Sequence, residues 1–301
     1  MPKAKAAPRP DGPRSVSLVL GSGGARGLAH IGIIQWLEEH HYQIQSVAGS
    51  SMGAVVGGIF AAGKLAVYTE WVQALTKADV LLLLDFSFSR GGLFKGERII
   101  ELLKDLVGDC NIEDLPISFT AVATDVEAGK EIWLSQGSLF DAIRASIAIP
   151  TLFTPHHYHG RRLLDGGLIN PVPIAPTLKD LTDITVAVNL NGNVQPQPMD
   201  AGNETGAQDQ ENHYKQRILK FIEELPRRKR KRDDDWGYFE VIHHCLETMQ
   251  STISRLKLAA YSPDVTIDIP KDACGPFEFY RAAEMIALGR RMAAQALGPL
   301  M

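Results

Sequence analysis

Apolar residues follow two different rhythms in the opening part of the chain. A β-branched run from Val16 to Leu20 precedes a glycine-rich turn, Gly21 to Gly27, and then Leu28, Ile31, Ile34 and Leu37 recur at helical spacing up to Glu39. A second short strand, about Ile44 to Ala48, runs into Gly49-Ser50-Ser51-Met52-Gly53, after which small apolar residues continue helically to about Ala62. Strand, turn and helix thus occur twice in succession. This predicts an α/β fold with a largely parallel sheet.

The downstream pattern adds further elements. Ile99 to Val107 predicts an amphipathic helix, and Ile117 to Thr124 and Lys130 to Leu134 read as paired strands around the turn Glu127-Ala128-Gly129. Leu139 to Ser146 reads as a helix stopped before Pro150. Pro155 to Asp165 alternates around His159-Gly160 as a hairpin whose second strand ends at Asp165-Gly166-Gly167. Ile184 to Leu190 predicts a buried strand. From Asn191 to His213 the chain turns polar, which predicts a mobile insertion reaching to about residue 235. Within it lie an amphipathic stretch, Ile218 to Leu225, and a basic run, Arg227 to Arg232, followed by three aspartates. Order is expected to return with a helix from about Phe239 to Ala260, a strand at Val265 to Ile269 and a helix from about Glu278 to Leu297. No internal repeat is present. The expected organisation is a disordered basic tail over 1–14 and a single domain over 15–300.

Composition narrows the class. The 301 residues are 45% apolar and 22% charged, with a net charge of −4, which describes a globular chain and excludes wholesale disorder or a collagen repeat. The balance of 31 basic against 35 acidic residues does not support nucleic-acid binding. Cys110, Cys245 and Cys274 are far apart and form neither a disulfide framework nor a zinc spacing, which favours a reducing, cytosolic setting. No run is long and apolar enough to span a membrane: Val47 to Gly63 is interrupted by glycine and serine, and Val80 to Leu84 is short. The N-terminal stretch lacks the apolar core of a secretory signal.

The chemistry concentrates in short motifs. Ser51 sits in G-x-S-x-G between a strand and a helix; Gly49 and Gly53 permit a sharp turn, and the helix that follows directs free N–H groups toward the serine. A tight turn packing two elements is the bland alternative. The first glycine loop also opens a helix. It could hold a phosphate or dinucleotide, but it lacks the Lys-Ser/Thr of a P-loop, and Arg26 stands where a dinucleotide fingerprint needs a small residue. An oxyanion hole beside Ser51 is the preferred reading, since neighbouring parallel strands would bring the two turns together.

A serine nucleophile needs a base. His213 falls in the polar stretch, His243 and His244 are adjacent on a helix, His30 follows the first loop, and His156, His157 and His159 lie on the hairpin without a carboxylate cluster. Packing or surface roles suit them better than catalysis or metal binding, and no metal or other cofactor is expected. Asp165 ends a strand, and Gly166 and Gly167 let the chain turn at once so that its carboxylate can face another loop. An aspartate opening a turn is the bland reading, for Asp165 as for Asp125.

Three motifs in order, Gly23-Gly24-Ala25-Arg26-Gly27, Gly49-Ser50-Ser51-Met52-Gly53 and Asp165-Gly166-Gly167, resemble the patatin-like phospholipase family, and most closely its bacterial branch related to the neuropathy target esterase catalytic domain. Leu28-Ala29-His30-Ile31-Gly32, Gly91-Gly92-Leu93-Phe94-Lys95-Gly96 and Ala142-Ile143-Arg144-Ala145-Ser146-Ile147-Ala148-Ile149-Pro150 support the likeness. The resemblance implies a three-layer α/β/α fold and a Ser–Asp dyad that needs no histidine. Ser51 would be the nucleophile, Asp165 the general base, and Gly23, Gly24 and the backbone near Arg26 the oxyanion hole. The implied reaction is hydrolysis of a lipid or lysophospholipid ester through an acyl-enzyme. Ser22 departs from the pattern, which often has glycine there.

Other function classes remain to be weighed. One is a regulatory or lipid-binding protein of the same fold with little catalysis; a nucleotide-binding enzyme is disfavoured by the loop spacing. The basic run reads first as a solvated segment partly neutralised by Asp233 to Asp235. The sharper alternative joins it to Ile218 to Leu225 in touching an anionic membrane surface.

Overall fold

The computed structural model describes residues 14–83, 96–193 and 238–300. The expected tail, most of the Gly91 to Gly96 segment, most of the polar stretch and the basic run fall outside them. The chain divides into two compact units, Met1–Val194 with Cys245–Met301, and Gln195–His244. The candidate site described below lies in the first unit.

Its elements follow the expected order. Strand β1 (Ser15–Leu20) leads through a 3-10 turn, Gly24–Leu28, into α1 (Ala29–Glu39); β2 (Gln43–Ser50) leads into α2 (Met52–Ala61). Then come α3 (Leu65–Gln73), α4 (Lys77–Leu83), α5 (Glu97–Val107), β3 (Ser118–Asp125), β4 (Lys130–Leu134) and α6 (Leu139–Ser146). Strands β5 (His156–Tyr158) and β6 (Arg161–Asp165) form the hairpin, followed by β7 (Ile184–Gly192), α7 (Tyr238–Tyr261), β8 (Val265–Pro270) and α8 (Ala282–Leu297).

The strands form one sheet in the order β5-β6-β3-β2-β1-β7-β8, with β4 also paired to β3. Pairings among β3, β2, β1, β7 and β8 are parallel; those of β3 with β4, β3 with β6 and β5 with β6 are antiparallel. Alternate residues of a strand face opposite sides. Leu18, Leu20, Val186 and Val188 therefore enter the main core with α1 and α2, while Val19 and Ala187 enter a smaller one with Val172, Ile174 and the half-buried Leu258 and Tyr261 of α7. Helices thus cover both faces of a mostly parallel sheet, as the sequence predicts.

Local chemistry explains several elements. Every residue of α2 is buried, and it carries Gly57 and Gly58 where Val47, Phe119 and Leu139 crowd it. Ser138 caps α6, its hydroxyl accepting from Asp141 N–H at 3.3 Å. The hairpin turns through His159 (φ 46°) and Gly160 (φ 74°), the paired positive angles of a two-residue loop that matches strand twist. Helices α1 and α8 touch backbone to backbone: a β-carbon on Gly32 would overlap the Ile286 carbonyl, and one on Gly289 that of Ala29.

Two expectations change. The polar stretch begins later than Asn191, because Asn191 and Gly192 complete β7; Gly192 pairs with Pro270, and the Asn191 amide reaches Ser254 Oγ at 3.4 Å. Helices α3 and α4 were not expected at all, and both matter for the site. Among the described residues no helix is long and apolar enough to cross a membrane.

Candidate active site

The two glycine turns lie side by side because β1 and β2 are parallel neighbours, with Leu20 at the end of β1 in register with Gly49. Ser51 occupies the turn between β2 and α2 with φ 54° and ψ −121°, a strained conformation for a residue with a side chain. Glycine on either side is required sterically. A β-carbon on Gly53 would overlap the Leu20 carbonyl, and one on Gly49 would overlap the Gly53 carbonyl.

Ser146 supports this turn, a role the sequence did not reveal. Its hydroxyl accepts from Ser51 N–H at 2.9 Å and donates to the Val122 carbonyl at 2.6 Å, so one buried group ties the turn to β3.

Asp165 arrives from the other direction. Strand β4 pairs with residues 121–125 of β3, so β2, which pairs with 118–122, and β6, which pairs with 123–125, must share the opposite edge. The C-terminal ends of β2 and β6 therefore meet head to head. Ser51 Oγ donates to Asp165 Oδ2 at 2.6 Å, and Gly167 N–H donates to Oδ1 at 2.7 Å. The main chain of Asp165 is held by Thr124 Oγ1, which donates to its carbonyl at 2.8 Å, and by its own N–H on the Ala148 carbonyl at 2.9 Å. Both Ser51 and Asp165 are 3% exposed. Burial pushes the Asp165 carboxyl up to about 6, against the opposing pull of the hydrogen bonds from Ser51 and Gly167.

The first glycine loop is anchored on both sides of Gly23 and Gly24. Gly21 N–H bonds to the Val188 carbonyl, Ser22 N–H to Pro171 and Ala25 N–H to Pro276, whereas the N–H groups of Gly23 and Gly24 have no protein acceptor among the described residues. Gly24 lines the same cavity as Ser51, with φ 57° and no space for a β-carbon, which would lie 2.6 Å from the Pro276 carbonyl oxygen. Gly27 lets the loop close on the Ser51 turn, since a β-carbon there would overlap that of Met52. The Arg26 guanidinium braces the loop by bonding to the Gly23 and Lys271 carbonyls and pairing with Glu247 at 3.2 Å. Gly166 and Gly167 pack under the site, where β-carbons would strike the Val122 carbonyl and the Ser22 hydroxyl.

The remaining candidates lie elsewhere or serve structure. His30 is buried with Nε2 on the Gly21 carbonyl at 2.9 Å, which makes it a donor, and burial lowers its pKa to about 4. Asp125 accepts from Ala128 N–H at 3.0 Å, as an aspartate opening a turn does. His244 is exposed on α7, and His213 lies outside the described residues. Among the described residues no three metal-ligating side chains cluster.

An apolar cavity opens beside Ser51, which is one of its lining residues. Helices α3, α4 and α5 form much of its wall through Trp71, Val72, Val80 and Leu103, and Ile147, Phe153 and Phe277 add to it. Its lining is almost wholly alkyl or aromatic, which suits a hydrocarbon chain and repels a charged head group.

Comparison with known proteins agrees with these motifs. A family model described as patatin-like phospholipase matches residues 18–178. A protein of Mycobacterium tuberculosis named as an uncharacterized NTE family protein is 40% identical over 327 aligned residues, covering 94% of this chain and 91% of its own length. Neuropathy target esterase sws of Drosophila persimilis is 36% identical over 168 residues, covering 53% of this chain and 12% of its own. Among solved structures, VipD from Legionella pneumophila is 16% identical with a TM-score of 0.46, covering 95% of this chain and 66% of that one.

Proposed function

The chain belongs to the patatin-like phospholipase family, and from that premise we propose that it hydrolyses lipid acyl esters, as a phospholipase, lysophospholipase or esterase, through Ser51 and Asp165. The observation that carries this reading is the 2.6 Å hydrogen bond from Ser51 Oγ to Asp165 Oδ2 beside an apolar cavity that Ser51 lines.

In the first step Ser51 Oγ bonds to the ester carbonyl carbon while its proton passes to Asp165 Oδ2. Negative charge gathers on the carbonyl oxygen, where the N–H groups of Gly23 and Gly24, with that of Arg26 from the same turn, would receive it. Collapse of this intermediate breaks the bond to the alcohol, which leaves with the proton held by Asp165. Water then attacks the acyl-enzyme, Asp165 takes a proton from it, and collapse frees the fatty acid as the proton returns to Ser51. A carboxyl raised to about 6 is ionised at neutral pH yet basic enough to share in both steps.

The acyl chain would occupy the apolar cavity and the head group would stay outside it. Such an enzyme takes its substrate from a membrane surface or as single molecules from solution.

Hydrolysis of a short-chain p-nitrophenyl ester tests this reading. Ser51→Ala and Asp165→Asn should each lower kcat/KM by about a thousandfold or more with unchanged circular dichroism. Undiminished turnover by purified Ser51→Ala contradicts it.

A further inference from the structure

Tyr68 is a part of the cavity that ester cleavage does not use. It lies on α3, 3% exposed, in the wall that also contains Ser51. Among the described lining residues, only Ser51, Tyr68 and Trp71 carry a side-chain oxygen or nitrogen, and Trp71 is only half-buried. Among the described residues the Tyr68 hydroxyl has no hydrogen-bond partner, and burial pushes the phenol above its usual range, so it stays a donor through neutral pH. Its ring packs near Trp71, with centroids 5.8 Å apart.

Buried tyrosine hydroxyls normally find a partner. Phenylalanine would fill the same space without leaving a donor unsatisfied. Water can reach the hydroxyl from the cavity, but a well-held water makes about three hydrogen bonds and this apolar wall offers it few beyond Tyr68. A plain alkyl chain in the cavity would leave the hydroxyl unpaired. A chain with an oxygen atom at the right depth would satisfy it while leaving every other lining contact apolar.

We propose that Tyr68 is a specificity-determining residue that selects acyl chains carrying a hydroxyl or oxo group part-way along their length, by donating a hydrogen bond to that oxygen. The proposal rests on the hydrolase reading for its substrate, but the recognition itself needs only binding.

The test compares p-nitrophenyl dodecanoate with derivatives hydroxylated at successive carbons. One position, or two adjacent ones, should be preferred over the plain ester by about tenfold or more in kcat/KM, and in Tyr68→Phe that ratio should fall to about one. No preferred position, or a preference that survives in Tyr68→Phe, overturns the proposal. A lowered Tm in Tyr68→Phe with an unchanged ratio marks a packing role and also overturns it. Calorimetric binding of dodecanoic and hydroxydodecanoic acids to Ser51→Ala separates the two readings. Preference for the hydroxy acid that is lost when Tyr68→Phe is added supports selection by Tyr68 even if no ester is cleaved. Equal binding of both acids by a chain that cleaves esters overturns the selection and leaves the hydrolase reading intact.

Discussion

Ser51 and Asp165 meet because adjacent residues of β3 hold the ends of their strands: Val122 pairs with Ser50, and Ala123 with Asp165, along one edge. The 2.6 Å hydrogen bond between the two side chains is thus set by sheet register rather than by loop packing. A slip of one residue in either pairing would turn the strand's side chains to the other face and separate the pair. In the proposed dyad the sheet would thereby do the positioning that the aspartate does for histidine in a Ser-His-Asp triad.

Ser146 extends this control to the main chain of Ser51. In Ser146→Ala both Ser51 N–H and the Val122 carbonyl lose their buried partner. Stability should fall by roughly 2–4 kcal/mol in urea unfolding, and kcat should fall more than KM rises. Wild-type stability in this variant would show that the bridge is dispensable.

The pH profile follows from the Asp165 carboxyl at about 6. The base must be ionised, so kcat/KM should climb about tenfold per pH unit well below that value and level off above pH 7. The same displacement has the opposite effect on folding. The carboxyl holds its proton more tightly in the folded chain than at its ordinary value of 3.8, so its penalty is absent below about pH 4, grows up to pH 6 and persists above, at roughly 3 kcal/mol. Asp165→Asn should therefore exceed the wild type in stability at pH 8, with the gap closing by pH 4. Unfolding curves at the two pH values check this, and a gap that does not narrow contradicts it.

Gly24 joins two requirements, a positive φ and the close approach of Pro276. Gly24→Ala should disturb the N–H groups proposed to face the ester oxygen and lower kcat by about a hundredfold, while far-UV circular dichroism stays the same. Steady-state kinetics on a soluble ester measures this directly.

The crossing of α1 and α8 predicts a purely structural effect. Gly32→Ala and Gly289→Ala should each cost roughly 2–4 kcal/mol by forcing the helices apart. The double variant should lose less than the sum, because the first substitution already opens the gap the second needs. Additive losses would mean that the two contacts act separately.

What was legible in the sequence was what local geometry dictates. Gly49 to Gly53 betrayed a turn because glycines next to a serine have few other uses, and the rhythm of residues 155–165 betrayed a hairpin that ends on Asp165. Ser146 could not be read this way: its partner Ser51 is 95 residues away, and only the folded sheet brings them together. Arg26 similarly reaches Glu247 across 221 positions, so a residue considered for its backbone turns out to brace the loop with its side chain. Helix α3 buries Leu65, Tyr68, Thr69 and Val72 at helical spacing, but Tyr68 and Thr69 weaken its apolar signal and no side chain caps its start. Helix α4 is only seven residues long, too short for its Val80 to Leu83 run to display a helical period.

Reaction of the purified chain with a fluorophosphonate probe, read by peptide mass spectrometry, tests the central claim most directly. An activated serine should take up one probe per chain at Ser51, with uptake abolished in Ser51→Ala and strongly slowed in Asp165→Asn. A wild-type chain that stays unlabelled, or a Ser51→Ala chain that labels equally well, would contradict it.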